Sequence, residues 1–294
     1  MTSFGIKKCR VCDSTKLLNI LDLGVQPLAN SLRKDKDSLE DTFPLIICRC
    51  SNCSTIQLTE TVEPNVLFKN YVWVTGTSIV ANEYSLRFCK RLSSFFEHKK
   101  KFVVEIASND GTFLTPFKRL GDKVLGVDPA KNIAEMAISK GIPTMPEFFS
   151  LEVAKSIVAN HGNADIVFAR NVIPHVANVK DVISGMSFTL SNNGIGAIEF
   201  HRADIILEKL HYDSIYHEHL YYHSIDTICK LLDIYNLNVF DIDESPISGG
   251  SYVVYFSHSK RQKTKYLEKA ISKEKMLGVR TEKGWMKFAE ESRN

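Results

Sequence analysis

The sequence predicts an α/β protein, a doubly wound parallel sheet preceded by a small cysteine-rich module. Three observations predict it. Two CxxC pairs fall before residue 54. From about residue 100, short apolar runs alternate with helical stretches, the pattern of a parallel sheet with crossover helices. Two final β-rich runs, LNVFDIDES and GSYVVYFSH, are joined by PISGG and read as an antiparallel hairpin. The chain divides accordingly into a module over 1–75, a domain over 76–260 and a helical tail over 261–294.

The module rests on its cysteines. The N-terminus MTSFGIKKCRVC lacks the apolar core of a signal peptide, and no apolar run approaches a membrane span. The expectation is a cytoplasmic protein with reduced thiols, so the seven cysteines need another purpose. Cys9 with Cys12 and Cys50 with Cys53 can complete a tetrahedral four-sulfur site suited to structural zinc. Four sulfurs close the shell and leave no place for a reactive water. Cys48 competes with Cys50 as a ligand, because CRC offers a second choice. Cys89 and Cys229 sit alone in helix-like stretches and read as core.

The domain follows from its strands. KFVVEIASNDGTFL runs from an apolar strand through a polar turn into a helix; KVLGVDP, ADIVFARNVIPHV and GIGAIEF supply further strands. Helical stretches AKNIAEMAISK, LEVAKSIVAN and VKDVISGMSFTL separate them. Such sheets bind ligands at the carboxyl ends of their strands. The first turn has neither GxGxxG nor GxxxxGK[ST], which argues against a dinucleotide or a phosphate loop. A net charge of +3, from 37 basic and 34 acidic residues, is too slight to point to nucleic acid or an anionic membrane.

The EIASNDG turn resembles the ExGxGxG turn of class I methyltransferases, with Ala107 and Asn109 in place of two glycines. That resemblance implies a Rossmann-like sheet binding S-adenosylmethionine. Glu105, Ala107, Ser108, Asn109, Asp110 and Gly111 would form the cofactor turn, with Glu105 and Asp110 suiting its charged amino-acid end. Asp128, before Pro129 at the end of the second strand, would accept the ribose hydroxyls.

The segments together resemble the zinc-containing C-methyltransferases of nucleotide-linked keto-sugars. They are CRVC, LDLGVQPLANSL, FPLIICRCSNC, YVWVTGTS, VEIASNDGTFL, GVDP, ARNVIPHV, YHEHLYYHS and SGGSYVVYFSH, in the family's order. The resemblance makes YHEH the catalytic segment, with His219 as base beside Tyr216 and Glu218. It adds His175 and Asn171 at active-site positions. Tyr71 and Trp73 stand where the family has two aromatics, and His217 and Tyr222 complete the expected substrate contacts. The YVWVTGTS segment is expected to fold over the cofactor or substrate. The expected partner is a nucleotide-sugar, on a monomer, and the family's C-terminal domain is expected to be absent or supplied by a partner chain. The tail then reads as a charged linker with a solvated face.

The chemistry is consistent. Carbon is a poor nucleophile towards a methyl sulfonium but becomes a good one as an enolate, and a histidine that titrates near neutrality can remove the proton beside a ketone. A tyrosine hydroxyl can stabilise the developing oxyanion. Three other readings stay open: a metal held by the histidines, an O-methyltransferase, and a catalytically incomplete binding protein on the same fold. HEHLY is not HExxH, which weighs against the metal.

Overall fold

The computed structural model describes residues 3–31, 35, 40–64, 67, 73–97 and 100–293. Tyr71 lies outside the described residues. The module contains β1 (Ser3–Gly5), β2 (Leu17–Pro27), β3 (Thr42–Cys50), β4 (Ile56–Leu58) and β5 (Glu60–Val62). A helix, α1 (Ile79–Ser93), leads into the domain. Its N-terminus is capped by the Ser78 hydroxyl, which accepts from Ala81 N, and Ala81, Tyr84, Phe88 and Leu92 form its buried stripe.

The domain then alternates: β6 (Phe102–Ile106), α2 (Thr115–Arg119), β7 (Lys123–Val127), α3 (Lys131–Ser139), β8 (Thr144–Met145), α4 (Leu151–His161), β9 (Ala164–Arg170), α5 (Val179–Thr189) and β10 (Leu190–His201). After α6 (Ala203–Lys209) come β11 (Tyr221–Tyr222), α7 (Ile225–Asp233), β12 (Asn238–Ser245) and β13 (Ser251–Ser257). The tail forms α8 (Lys265–Met276) and α9 (Glu282–Arg293).

The large sheet has the order β12-β13-β10-β9-β6-β7-β8. β10, β9, β6, β7 and β8 are parallel, and β13 pairs antiparallel with both β10 and β12. The expected edge hairpin is therefore present. Every residue of β6 is buried, as befits a central parallel strand covered on both faces. The chain leaves β6 for β7 on one side and returns to β9 on the other. That reversal is a topological switch point, and the turns after β6, β7 and β9 meet there.

The module's sheet has the order β11-β4-β3-β2. Its outermost strand is not its own: β11 comes from YHEHLYYHS, pairing Tyr221 with Gln57 and Tyr222 with Ile56. One apolar core runs through both sheets, joining Val11, Ile20 and Ile47 to Val104, Ile198 and Leu231. Module and domain are thus stitched together.

The tail departs from the expected solvated linker. Trp285 is fully buried, donates its indole N–H to Val279 O at 2.8 Å, and shares the core with Leu267, Val279 and Phe288. Glu274 accepts from Ile225 N with both carboxylate oxygens, so α8 caps α7. Arg49 on β3 donates to Arg280 O at 2.7 Å, tying tail to module. The apolar residues in KYLEKAISKEKM and EKGWMKF form buried stripes under a charged outer face, which a charge-run reading overlooks. Among the described residues no helix is long and apolar enough to cross a membrane.

Candidate active site

The cysteine cluster forms as the spacing suggests. The sulfurs of Cys9, Cys12, Cys50 and Cys53 all lie within 4.8 Å of one another, with Cys9–Cys53 and Cys12–Cys50 both at 3.6 Å. A tetrahedron with zinc–sulfur bonds of about 2.3 Å has edges of about 3.8 Å, so the residues fit zinc. Gln57 Nε2 donates to Cys9 Sγ at 3.2 Å, and Asn52 Nδ2 to Cys12 Sγ at 3.5 Å, which orients the sulfurs. Cys48 lies buried on β3 opposite Asn19 and outside this cluster.

The turn after β6 carries Ala107, Asn109 and Gly111 at φ of 53°, 50° and 76°. Three left-handed residues bend the chain sharply, and at Gly111 a side chain would also collide with Ile142. Glu105, near the end of β6, is buried, and among the described residues its Oε2 has no hydrogen-bond partner. Burial pushes its carboxyl well above the usual range, against the pull of Arg170. An orphaned acid in that position fits a cationic ligand group, as the amino end of S-adenosylmethionine would supply.

Asp128 accepts from Asn109 N at 2.8 Å and Ala130 N at 3.0 Å. It braces the turn, and each carboxylate oxygen keeps a lone pair for a hydroxyl. Pro129 follows it, half-buried. Two of the expected cofactor residues are engaged inside the protein. The Asp110 carboxylate accepts from the Thr112 hydroxyl, pairs with Lys140 and faces Gly76 of the segment before α1, so its charge is already partnered within the protein. Ser108 is buried, with its hydroxyl against Gly126.

The segment before α1 closes on this turn. Thr75 N donates to Asn109 Oδ1 at 2.8 Å, and Asn109 Nδ2 donates to Trp73 O at 3.0 Å. The Trp73 side chain stays 55% exposed. The turn after β9 brings Asn171, at φ 49°, against Glu199, whose backbone oxygen and carboxylate both accept from it.

YHEH forms a tight turn rather than a strand. His219 Nδ1 lies 2.9 Å from Ser214 O, and its Nε2 lies 2.9 Å from the Tyr216 hydroxyl. A carbonyl can only accept, so Nδ1 carries the proton and Nε2 has the lone pair; Tyr216 is then the donor. Burial, with the neighbouring His175, pushes His219 down to about 3. His175 lies 4.9 Å away ring to ring, is pushed down to about 4 by burial, and reaches the backbone carbonyls of Glu218 and Asn171.

Two expected substrate contacts are placed elsewhere. His217 Nε2 lies 3.2 Å from Phe43 O and its ring packs edge-on to Phe43, so it is part of the contact with the module. Tyr222 is fully buried in β11, its side chain turned into the core. The turn geometry separates His217 from His219, which two-residue spacing alone does not reveal.

Several residues at the strand ends escaped the sequence reading. Arg170 pairs with the buried Glu199 at 2.7 Å and lies over the Phe113 ring, while Ser245 donates to Glu199 at 2.6 Å. The signal was an acid inside the apolar run GIGAIEF. Asn30, in PLANS, donates to Glu218 Oε1 at 2.7 Å.

Two family profiles match the chain. One, described as "Putative zinc binding domain", covers residues 9–68, and one described as "Methyltransferase domain" covers residues 81–242. The C-methyltransferase NovU of Streptomyces niveus is 33% identical over 255 residues, 85% of this chain and 60% of NovU. The chain therefore spans less than two thirds of that relative's length, at 60%. Magnesium protoporphyrin IX methyltransferase (ChlM) from Synechocystis PCC 6803, solved with bound SAM, is similar over 62% of this chain and 81% of its own, at 14% identity and a TM-score of 0.48. A SAM-dependent methyltransferase from Archaeoglobus fulgidus matches 60% of this chain and 93% of its own, at 15% identity and a TM-score of 0.48.

Proposed function

This chain belongs to the methyltransferase-domain family that matches residues 81–242, and from that premise we propose that it methylates carbon of a nucleotide-linked keto-sugar. The observation that carries the reading is the His219 imidazole, oriented by Ser214 O so that its Nε2 lone pair, now accepting from the Tyr216 hydroxyl, is the basic atom. The similarity to a C-methyltransferase supports carbon as the acceptor.

S-adenosylmethionine, when bound at the turn after β6, supplies the electrophilic methyl group. Glu105 would hold its cationic end, and Asp128 would accept its ribose hydroxyls. Residues 73–77 lie over the turn and keep it closed. His219 Nε2 takes the proton from the carbon next to the ketone. The Tyr216 hydroxyl, with His175 beside it, donates to the oxygen on which charge develops. The four-cysteine cluster holds zinc as structure. With four sulfurs around it, such a zinc would have no open position for chemistry.

The test is incubation with S-adenosylmethionine and a panel of nucleoside-diphosphate keto-sugars in heavy water. Exchange of the proton beside the ketone, followed by a carbon-methylated product in fragmentation spectra, is expected. Both should fall by about 10²- to 10⁴-fold in His219→Asn. An O-methyl product, or normal turnover by His219→Asn, refutes the assignment.

A further inference from the structure

The N-terminal module reaches into the catalytic segment along its length. Phe43 holds His217, Leu58 N donates to Leu220 O at 3.0 Å, and β4 pairs with Tyr221 and Tyr222. Between these contacts Asn30 donates to Glu218 Oε1 at 2.7 Å across 188 positions of sequence. Asn30 sits in an exposed turn closed by Ser31 N donating to Leu28 O at 3.1 Å. Leu28 anchors that turn in a small apolar cluster with Phe43 and Val62.

Glu218 itself is only 5% exposed. Burial raises its carboxyl, and the Asn30 amide opposes that rise. No cation among the described residues contributes to that balance. Among the described residues, His217 and His219 flank Glu218 in the chain, Tyr216 packs on His219, and His175 from the turn after β9 packs on His219 and reaches the Glu218 carbonyl. Among the described residues Glu218 Oε2 carries no hydrogen bond, and an ionised carboxylate is an acceptor only. One oxygen is thus fixed by the module while the other can accept a donor.

We propose that Asn30 is a positioning residue of the active site, whose amide orients Glu218 so that Oε2 accepts a hydroxyl hydrogen of the sugar substrate. The proposal rests on the keto-sugar reading above. It makes the module a contributor to substrate recognition as well as a carrier of zinc. Asn30 acts through Glu218, so its loss affects sugar binding and the acid's titration more than the methyl-transfer step.

The test uses the full chain loaded with zinc, with Asn30→Ala and Asn30→Gln, each checked for metal content and thermal midpoint. Glutamate carboxyls are labelled with carbon-13, and the Glu218 signal is identified by its loss in Glu218→Gln. In Asn30→Ala its midpoint is expected to rise by about one pH unit, the loss of one hydrogen bond to a charged acceptor. KM for the keto-sugar nucleotide should rise about tenfold with little change in kcat, while affinity for S-adenosylhomocysteine stays the same. Asn30→Gln, which keeps the amide, should restore part of both. An unshifted midpoint in folded Asn30→Ala overturns the proposal, and so does a shifted midpoint with an unchanged KM. A shifted midpoint with no turnover of any keto-sugar by the unaltered protein overturns the substrate reading, and the role of Oε2 with it.

Discussion

Gly76→Ala tests whether residues 73–77 close the cofactor site. A Cβ at Gly76 would press into Asp110 Oδ2 and lie 2.9 Å from Thr112 Oγ1. Asp110 cannot yield cheaply, because it is fully buried, paired with Lys140 and bonded to Thr112. The strain must be relieved by moving the 73–77 backbone off the turn. That breaks Thr75 N→Asn109 Oδ1 and Asn109 Nδ2→Trp73 O, each worth roughly 0.5–1.5 kcal/mol. Together they come to about 1–3 kcal/mol, or roughly 5- to 150-fold in affinity at about 1.4 kcal/mol per tenfold. Calorimetric titration with S-adenosylhomocysteine is the assay, with circular dichroism to confirm the fold. Asn109→Asp keeps an acceptor for Thr75 and the tolerance for positive φ but loses the donor to Trp73, so it should weaken binding by a smaller amount. Affinity within twofold of the unaltered protein for folded Gly76→Ala would refute the closure.

Removing zinc should unfold more than the module. Such sites contribute about 10–16 kcal/mol, as much as the whole stability of a typical domain; β11 has β4 as its strand partner, so amides of Tyr221 and Tyr222 should lose exchange protection on chelation, and retained protection in the metal-free protein would count against the coupling. Trp285→Ala should cost about 3–5 kcal/mol by opening the core shared with α9; a loss below about 1 kcal/mol in urea titration would place the tail outside the cooperative unit. His223 is 1% exposed and pushed down to about 3 by burial, so the unfolded chain binds a proton there first. Its contribution is complete above about pH 6.5 and is lost as pH falls from there towards 3, at about 1.4 kcal/mol per unit. His223→Leu should flatten that acid limb in denaturant titrations at several pH values, and an unchanged slope would refute the burial argument.

The backbone architecture was readable because its signals are local. Paired CxxC turns, apolar runs and the glycine-marked turns at 107–111 and 249–250 each declare themselves within a dozen residues. What stayed hidden is the direction of single side chains. Glu105 and Asp110 both stand in one acidic turn, yet one is buried with an oxygen that has no hydrogen-bond partner among the described residues and the other is paired with Lys140. Residues His217 and His219 differ by two positions, yet one serves the contact with Phe43 and the other faces Tyr216. The bond from Asn30 to Glu218 depends on β11 joining the module's sheet, and a two-residue strand gives no pattern long enough to predict.

The low proton affinity of His219 bears directly on how it could act. A histidine at about 3 is neutral at pH 7, which leaves Nε2 unprotonated and accepting from Tyr216 but makes His219 a weak base on its own. Burial causes that depression, and the neighbouring His175 deepens it. In the proposed reaction the proton does not arrive alone: its removal creates an enolate within reach of the new imidazolium. An opposite charge at that distance raises the proton affinity of His219, as burial without a partner lowers it. The same dry surroundings that depress the free histidine then strengthen the ion pair. The Tyr216 hydroxyl now donates to Nε2 and must give up that bond for the proton to enter, which leaves its hydrogen free for the enolate oxygen. Tyrosine and histidine therefore exchange partners in one step, and the apparent mismatch in affinity becomes a means of withholding the base until a ketone is in place.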